Sequence, residues 1–256
     1  MKAGARVTAL FRRLKQEQRC GLIAYVTCGD GDTARIVAEL EEAGADAIEL
    51  GIPFSDPIAD GPVIQAAAQR ALANGTRTRD VFSIARAIRE RSQIPLIAFS
   101  YLNPVMRHGI DAFARDAKAA GIDSLLLTDL PPEAGKELRD TMHAEGIGTV
   151  FLAAPTSTDT RIRAIDNASD GFVYYVSTTG VTGTRSDLDP ALLTRLDEVR
   201  ATLRHPIAVG FGISRHEHYL ALRDRCDAIV VGSAIVRAIG NGESAGAVVQ
   251  AILREE

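Results

Sequence analysis

The sequence predicts an α/β chain folded as one (β/α)8 TIM barrel with an extra N-terminal helix, and three observations predict it. Eight short apolar runs punctuate the 256 residues, amphipathic helical stretches fill the intervals between them, and no GxGxxG follows the first run. The runs at 22–27, 47–51, 96–100, 124–128, 149–152, 172–177, 207–210 and 228–232 are rich in Val, Ile, Leu and aromatics, as strands covered on both faces are. Eight strands alternating with helices in about 250 residues is the barrel count. The missing glycine motif weakens the case for an open doubly wound sheet. No linker, repeat or low-complexity segment interrupts the chain, so a single domain over 1–256 is expected.

In chain order, residues 7–19 read as an additional helix, placed to cap the barrel bottom. Helices over 33–43, 111–120 and 133–145 end at Gly44, Gly121 and Gly146, where a glycine relieves the left-handed C-cap. The interval between strands two and three is about twice the usual length, and the one between strands six and seven is also extended. Extra chain in a barrel elaborates the loops at the C-terminal face, so 51–75 and 178–190 stand out before any chemistry is considered.

Bulk properties exclude several classes. A net charge of −4 and a pI near 5.8 offer no basic footprint for nucleic acid. No run of 18 apolar residues and no signal-like apolar segment occurs, which points to a cytoplasmic protein without a membrane span. Cys20, Cys28 and Cys226 are odd in number and widely spaced, so neither a disulfide framework nor a zinc site is expected.

Two regions carry chemistry. Strand seven runs into Gly210-Phe211-Gly212-Ile213-Ser214, and strand eight into Gly232-Ser233-Ala234. Each alone reads as a turn glycine with a serine cap. Two on adjacent final strands favour a phosphate site, because glycines admit close approach and helix N-termini offer free N–H groups. On strand two, Ile48 and Leu50 share one face, so Glu49 takes the other and points into the barrel if the aliphatics pack outward. A carboxyl with apolar neighbours has a raised pKa, useful for donating a proton near neutrality. A buried ion pair is the equal alternative for Glu49. Asp56 and Asp60, in the loop that follows, also fit Asx turns or helix caps.

The same residues then acquire a family. Glu49-Leu50-Gly51-Ile52-Pro53-Phe54-Ser55-Asp56-Pro57-Ile58-Ala59-Asp60-Gly61-Pro62 resembles the signature of the tryptophan synthase alpha subunit. The similarity continues, in order, through Val26-Thr27-Cys28-Gly29-Asp30, Tyr101-Leu102-Asn103-Pro104, Asp129-Leu130-Pro131, Thr179-Gly180-Val181-Thr182-Gly183 and the two glycine turns. The resemblance implies a lyase of tryptophan biosynthesis that cleaves indole-3-glycerol phosphate into indole and glyceraldehyde 3-phosphate. It implies Glu49 as general acid/base, Asp60 as partner of the indole N–H, and Tyr174 and Tyr101 as positioning groups. Phe99 and Thr182 join the substrate-binding set, and Gly183, Phe211, Gly212, Gly232 and Ser233 are implied around the phosphate. No cofactor is expected in this chain. The partner implied is a pyridoxal-phosphate-dependent beta subunit in an alpha2-beta2 heterotetramer, with Asp56-Pro57 a candidate contact. Two positions depart from the common pattern. Gly31 stands where proline is frequent, which loosens the first loop, and Thr128 stands where Pro or Ala is expected, which makes the indole pocket more polar.

The chemistry is a retro-aldol cleavage and needs an electron sink. A lysine Schiff base is one solution, but none of Lys2, Lys15, Lys118 and Lys136 lies on a predicted strand. A metal ion is another; of the histidines only His216 and His218 are close, and i,i+2 on a helix points them apart, so both are expected at the surface. The remaining route protonates the indole ring and makes the substrate its own sink, with Asp60 stabilising the positive charge. Leu22, Phe99, Leu126, Phe211 and Tyr174 are candidates for the apolar wall, though each alone reads as core. Cys28 reads as packing. Residues 178–188, with two glycines and four threonines, read as a closing lid containing a trypsin site at Arg185, held shut by Thr182. The rivals are an isomerase or epimerase of sugar phosphates on the same barrel, and a non-catalytic scaffolding subunit.

Overall fold

The computed structural model describes residues 3–176, 190–210 and 212–254. Its strands are β1 (Gly21–Thr27), β2 (Ala47–Gly51), β3 (Leu96–Ser100), β4 (Ser124–Leu127), β5 (Gly148–Val150), β6 (Leu152–Ala153), β7 (Val173–Val176), β8 (Ile207–Gly210) and β9 (Ala228–Val231). All pairings are parallel, in the order β5-β4-β3-β2-β1-β9-β8-β7-β6. The run at 149–152, expected as one strand, is two pieces broken at Phe151. β5 pairs with β4 and β6 with β7, and the Phe151 carbonyl accepts from Tyr174 N–H at 3.1 Å. This strand therefore serves one neighbour before the break and the other after it. Nine strand segments thus make an eight-strand barrel.

Side-chain alternation sorts the interior. Leu22, Ala24, Val26, Ile48, Leu50, Leu96 and Ala98 face outward, in one buried cluster with Val37, Leu40, Val81 and Ala85 of the surrounding helices. Ile23, Ala47, Ile97, Leu126, Val150, Phe172, Ala208 and Ala228 face inward. Helix α1 (Ala5–Glu17) places Val7, Leu10, Phe11 and Leu14 on one stripe and buries them against this inner set. It plugs the barrel floor, where the sequence placed it, with Phe11 and Phe172 rings 5.2 Å apart.

Helix α2 (Thr33–Glu42) follows β1, and α3 (Pro62–Ala73) and α4 (Thr78–Arg89) follow β2. The segment marked out at 51–75 is therefore about half helix, and the loop directly after β2 runs over 52–61. Next come α5 (Leu102–His108), α6 (Ile110–Ala120), α7 (Lys136–Ala144), α8 (Asp159–Ala168), α9 (Pro190–Thr202), α10 (His216–Leu222), α11 (Ser233–Asn241) and α12 (Ala245–Leu253). Gly44, Gly121 and Gly146 carry φ of 111°, 78° and 78°, the left-handed geometry expected of them.

An aspartate ahead of every second strand recurs at the floor. Asp46, Asp123, Asp170 and Asp227 accept from the N–H of Leu22, Leu96, Thr149 and Ile207 at 3.0, 2.9, 2.9 and 2.9 Å. Each clamps the start of a preceding strand. Asp46 is also gripped by Arg13 at 3.0 Å and Arg19 at 2.6 Å, and is buried. Asp46→Ala would leave the buried Leu22 N–H without its acceptor, while Arg13 and Arg19, both half-exposed, keep Glu17, so a loss of about 2 kcal/mol in urea unfolding is expected. Turnover per folded molecule should be unchanged, because the floor lies opposite the mouth.

Candidate active site

Glu49 is the middle residue of β2. With Ile48 and Leu50 packed on helices, its side chain points into the barrel. It is 0 % exposed, and neither carboxyl oxygen has a hydrogen-bond partner among the described residues. The ion-pair alternative therefore finds no cation there. An ionised carboxylate at this point would be desolvated without compensation, and burial pushes its pKa up to about 8.

Two tyrosines wall this carboxyl. Tyr25 on β1 is the register partner of Glu49. Its hydroxyl occupies the space that a side chain at Gly51 would need, 3.5 Å from the Thr27 hydroxyl. Its ring meets Phe99 edge-on, centroids 5.2 Å apart at 81°. Tyr174 does the same on the other side: a Cβ at Gly210 would lie 2.6 Å from its hydroxyl. Burial raises both phenols well above their ordinary range, with the Glu49 charge a further cause in each. Tyr25 escaped the sequence reading, which named Leu22 for the wall. Leu22 faces the helices. All seven residues of β1 are buried, so hydropathy carried no phase; the small residues at the ends of β2 and β8 were the available signal.

Asp60 is held from two sides. The Tyr101 hydroxyl accepts from Ala59 N–H at 2.9 Å, and Gln65 Nε2 of α3 donates to the Asp60 carbonyl at 2.8 Å. The Phe54 ring stacks at a tilt on Tyr101 with centroids 5.3 Å apart. Burial raises the Asp60 carboxyl to about 6, opposed by its hydrogen bond with Tyr101. Near neutrality Glu49 is therefore protonated and Asp60 ionised. Two carboxyls with separated pKa values in one site can play acid and anion respectively. Asp56 is exposed and accepts from Ser55 Oγ at 2.6 Å, away from this pair.

Phe99 and Leu126 are register partners and face inward with Tyr174, as the wall requires. Cys28 is buried and its thiol is pushed up to about 12 by that burial, which makes it inert at neutral pH. Thr128 turns its hydroxyl toward the Ser100 carbonyl at 3.4 Å, so its polarity is partly spent on backbone. Gly31 has φ of 89°, a value proline does not reach. The first loop is anchored instead by Asp30, which takes two hydrogen bonds from Arg70 at 2.8 and 2.7 Å. His218 is buried, against the surface expectation, and His216 Nδ1 lies 2.9 Å from the Ile252 carbonyl of α12. The two do point apart, but packing covers the sides of α10 on which they lie. Among the described residues no group of three His, Cys, Asp or Glu side chains is placed to hold a metal ion.

The glycine turns sit at the same mouth. Gly212 has φ of 63° with open space around its Cβ position. β9 passes through Gly232 directly into α11, whose N-terminus has no side-chain cap, so its leading amides are available to an anion. A Cβ at Gly232 would lie 3.5 Å from Tyr25 Cβ, which puts this turn beside the aromatic wall. Gly212→Val is expected to weaken binding of glycerol 3-phosphate about tenfold by crowding that approach and straining the backbone, read by calorimetric titration. An unchanged affinity would show that Gly212 does not contact a phosphate. Thr182, Gly183, Phe211 and the lid segment with Arg185 lie outside the described residues.

Comparison with known proteins converges on one family. The profile described as "Tryptophan synthase alpha chain" matches residues 11–255. The chain is similar to the tryptophan synthase alpha chain of Solibacter usitatus, 52% identical over 249 residues, covering 96% of this chain and 93% of that one. It is 45% identical to the one from Citrifermentans bemidjiense, covering 91% and 88%. Among solved structures, subunit alpha from Legionella pneumophila superposes with a TM-score of 0.89 at 33% identity, covering 96% of each chain. A chain from the tryptophan synthase a2b2 complex of Pyrococcus furiosus superposes at 0.86 with 42% identity, covering 91% of this chain and 97% of that one.

Proposed function

The chain belongs to the tryptophan synthase alpha chain family, and we propose that Glu49 and Asp60 together cleave indole-3-glycerol phosphate to indole and glyceraldehyde 3-phosphate. The observation that carries the reading is the separation of the two carboxyls: Glu49 unpartnered among the described residues and protonated, Asp60 half-buried and ionised. Glu49 donates its proton to indole C3, which turns the ring into an iminium-like sink. Asp60, at the ring N–H, stabilises the positive charge. The Glu49 carboxylate then takes the proton of the hydroxyl on the adjacent side-chain carbon. The C–C bond breaks, its electrons return to the ring, indole leaves, and the aldehyde remains on the phosphorylated fragment. One proton is given and one taken back, so the enzyme ends as it began. Tyr25, Phe99, Leu126 and Tyr174 supply the apolar wall that holds the ring and excludes water. A sugar-phosphate isomerase would have no use for such a wall.

Gly212, Gly232 and Ser233 are the described part of the phosphate cradle; Gly183 and Phe211 complete it by the family pattern, and Thr182 is the residue expected to hold the lid shut. The partner is a pyridoxal-phosphate-dependent beta subunit that takes up the indole in an alpha2-beta2 assembly. The loop after β2 supports this contact, since it presents Ile58, 87 % exposed, beside Asp56 and Pro57. No helix among the described residues is long and apolar enough to cross a membrane, in keeping with a cytoplasmic place in tryptophan biosynthesis. The test is indole release from indole-3-glycerol phosphate by the purified chain, with and without the beta subunit of the same source. Release in either case, faster in the complex, is expected; no indole under both conditions would overturn the assignment.

A further inference from the structure

The barrel closes where β1 pairs with β9, and two cysteines 206 positions apart in sequence meet at the floor end of that seam. Cys20 immediately precedes β1 and Cys226 lies two residues before β9, with their Sγ atoms 3.8 Å apart. Both are buried. Their other sulfur contacts are weak ones to carbonyls, Cys20 to Gly21 at 3.6 Å and Cys226 to Leu222 at 3.3 Å. The backbones on either side are already tied, with Gly21 N–H donating to the Asp227 carbonyl at 3.0 Å. A disulfide needs its sulfurs at about 2.05 Å, so each must move by about an ångström, within reach of a small side-chain rotation.

We propose that Cys20 and Cys226 are a redox-active thiol pair that a small disulfide oxidant converts into an intramolecular disulfide, stapling the first strand of the barrel to the last. The oxidant is of the glutathione-disulfide class. One cysteine thiolate attacks an oxidant sulfur and displaces a thiolate; the second cysteine then attacks the mixed disulfide and displaces the other thiolate. The protein gives up two protons and two electrons, and the oxidant leaves as two thiols. Access comes through α10, only seven residues long, whose last carbonyl accepts from Cys226 Sγ; local opening of so short a helix exposes the pair and relieves the hydrogen bond from Cys20 and the burial that hold the Cys226 thiol well above its ordinary range in the closed fold. Cys28, buried at the opposite end of β1, has no thiol partner among the described residues and serves as an internal control.

The experiment treats the full chain with glutathione disulfide and counts thiols after denaturation. Of the three free cysteines, one should remain, with a mass loss of two hydrogens, a peptide map joining residues 20 and 226, and full reversal by dithiothreitol. The oxidised chain should unfold at a higher denaturant midpoint, since the bond closes a very long loop in the unfolded state. Turnover should be unchanged, because the seam lies at the floor. Cys28→Ala should cross-link as the native chain does, and Cys226→Ser should not. Persistence of three thiols, a stable mixed disulfide with glutathione as the end product, a link to Cys28, or a lower midpoint would each overturn the proposal. The native and Cys28→Ala results decide it even if Cys226→Ser fails to fold.

Discussion

Glu49→Gln should lower indole formation by about 10²–10⁴-fold, the usual contribution of a general acid/base, while preserving the barrel and substrate affinity. The change keeps the shape and removes only the titrating group. Retention of more than a tenth of the native rate would sink the role assigned to Glu49. The same variant carries a second, independent readout. Folding raises this carboxyl from 4.5 to about 8, so between those pH values the unfolded chain releases a proton that the folded chain keeps. The stabilisation is fully present below pH 4.5, is lost as pH rises through the folded value, and is absent above it. Glutamine has no such dependence. Above pH 8 the variant should therefore exceed the native protein in stability by about 5 kcal/mol relative to their difference below pH 4.5, read from urea midpoints across the range. A pH-independent difference between the two proteins would mean that Glu49 is not buried as the acid.

Asp60→Asn should cost about 10²-fold in turnover, since an amide offers no charge to the developing cation. Asp56→Asn, on the exposed part of the same loop, should cost far less. The pH profile separates a charge role from a packing role. Asp60 is raised from 3.8 to about 6 and is needed ionised, so kcat/KM should fall as pH drops through about 6; Glu49 is needed protonated, so it should fall again above about 8. Asp60→Asn should abolish the acidic limb and leave the alkaline one. Equal losses at 56 and 60, or an acidic limb that survives the substitution, would show that Asp60 only shapes the loop.

Much of this molecule is determined locally and was legible in the sequence. Seven of the eight strands lie where short β-rich runs stand, because a strand covered on both faces admits little else. Three helices end at Gly44, Gly121 and Gly146 because only glycine takes their positive φ without strain. Strand two was phased by its own polar residue: a single Glu49 between Ile48 and Leu50 decides which face is inside. The fourteen residues from Glu49 to Pro62 carried the family.

What the sequence left open depends on contacts between distant segments. β1 is buried throughout, so only its pairing with β2 shows that Tyr25, and not Leu22, stands beside Glu49. Glu49 could have met a cation from any element; the closed barrel gives it none among the described residues, and that absence of a partner sets its pKa. The break at Phe151 shows only in the pairing, β5 with β4 and β6 with β7, and the burial of His218 follows from its helix being covered by neighbours. Cys20 and Cys226 look unrelated along the chain. Closure of the barrel between its first and last strands is what brings their sulfurs to 3.8 Å.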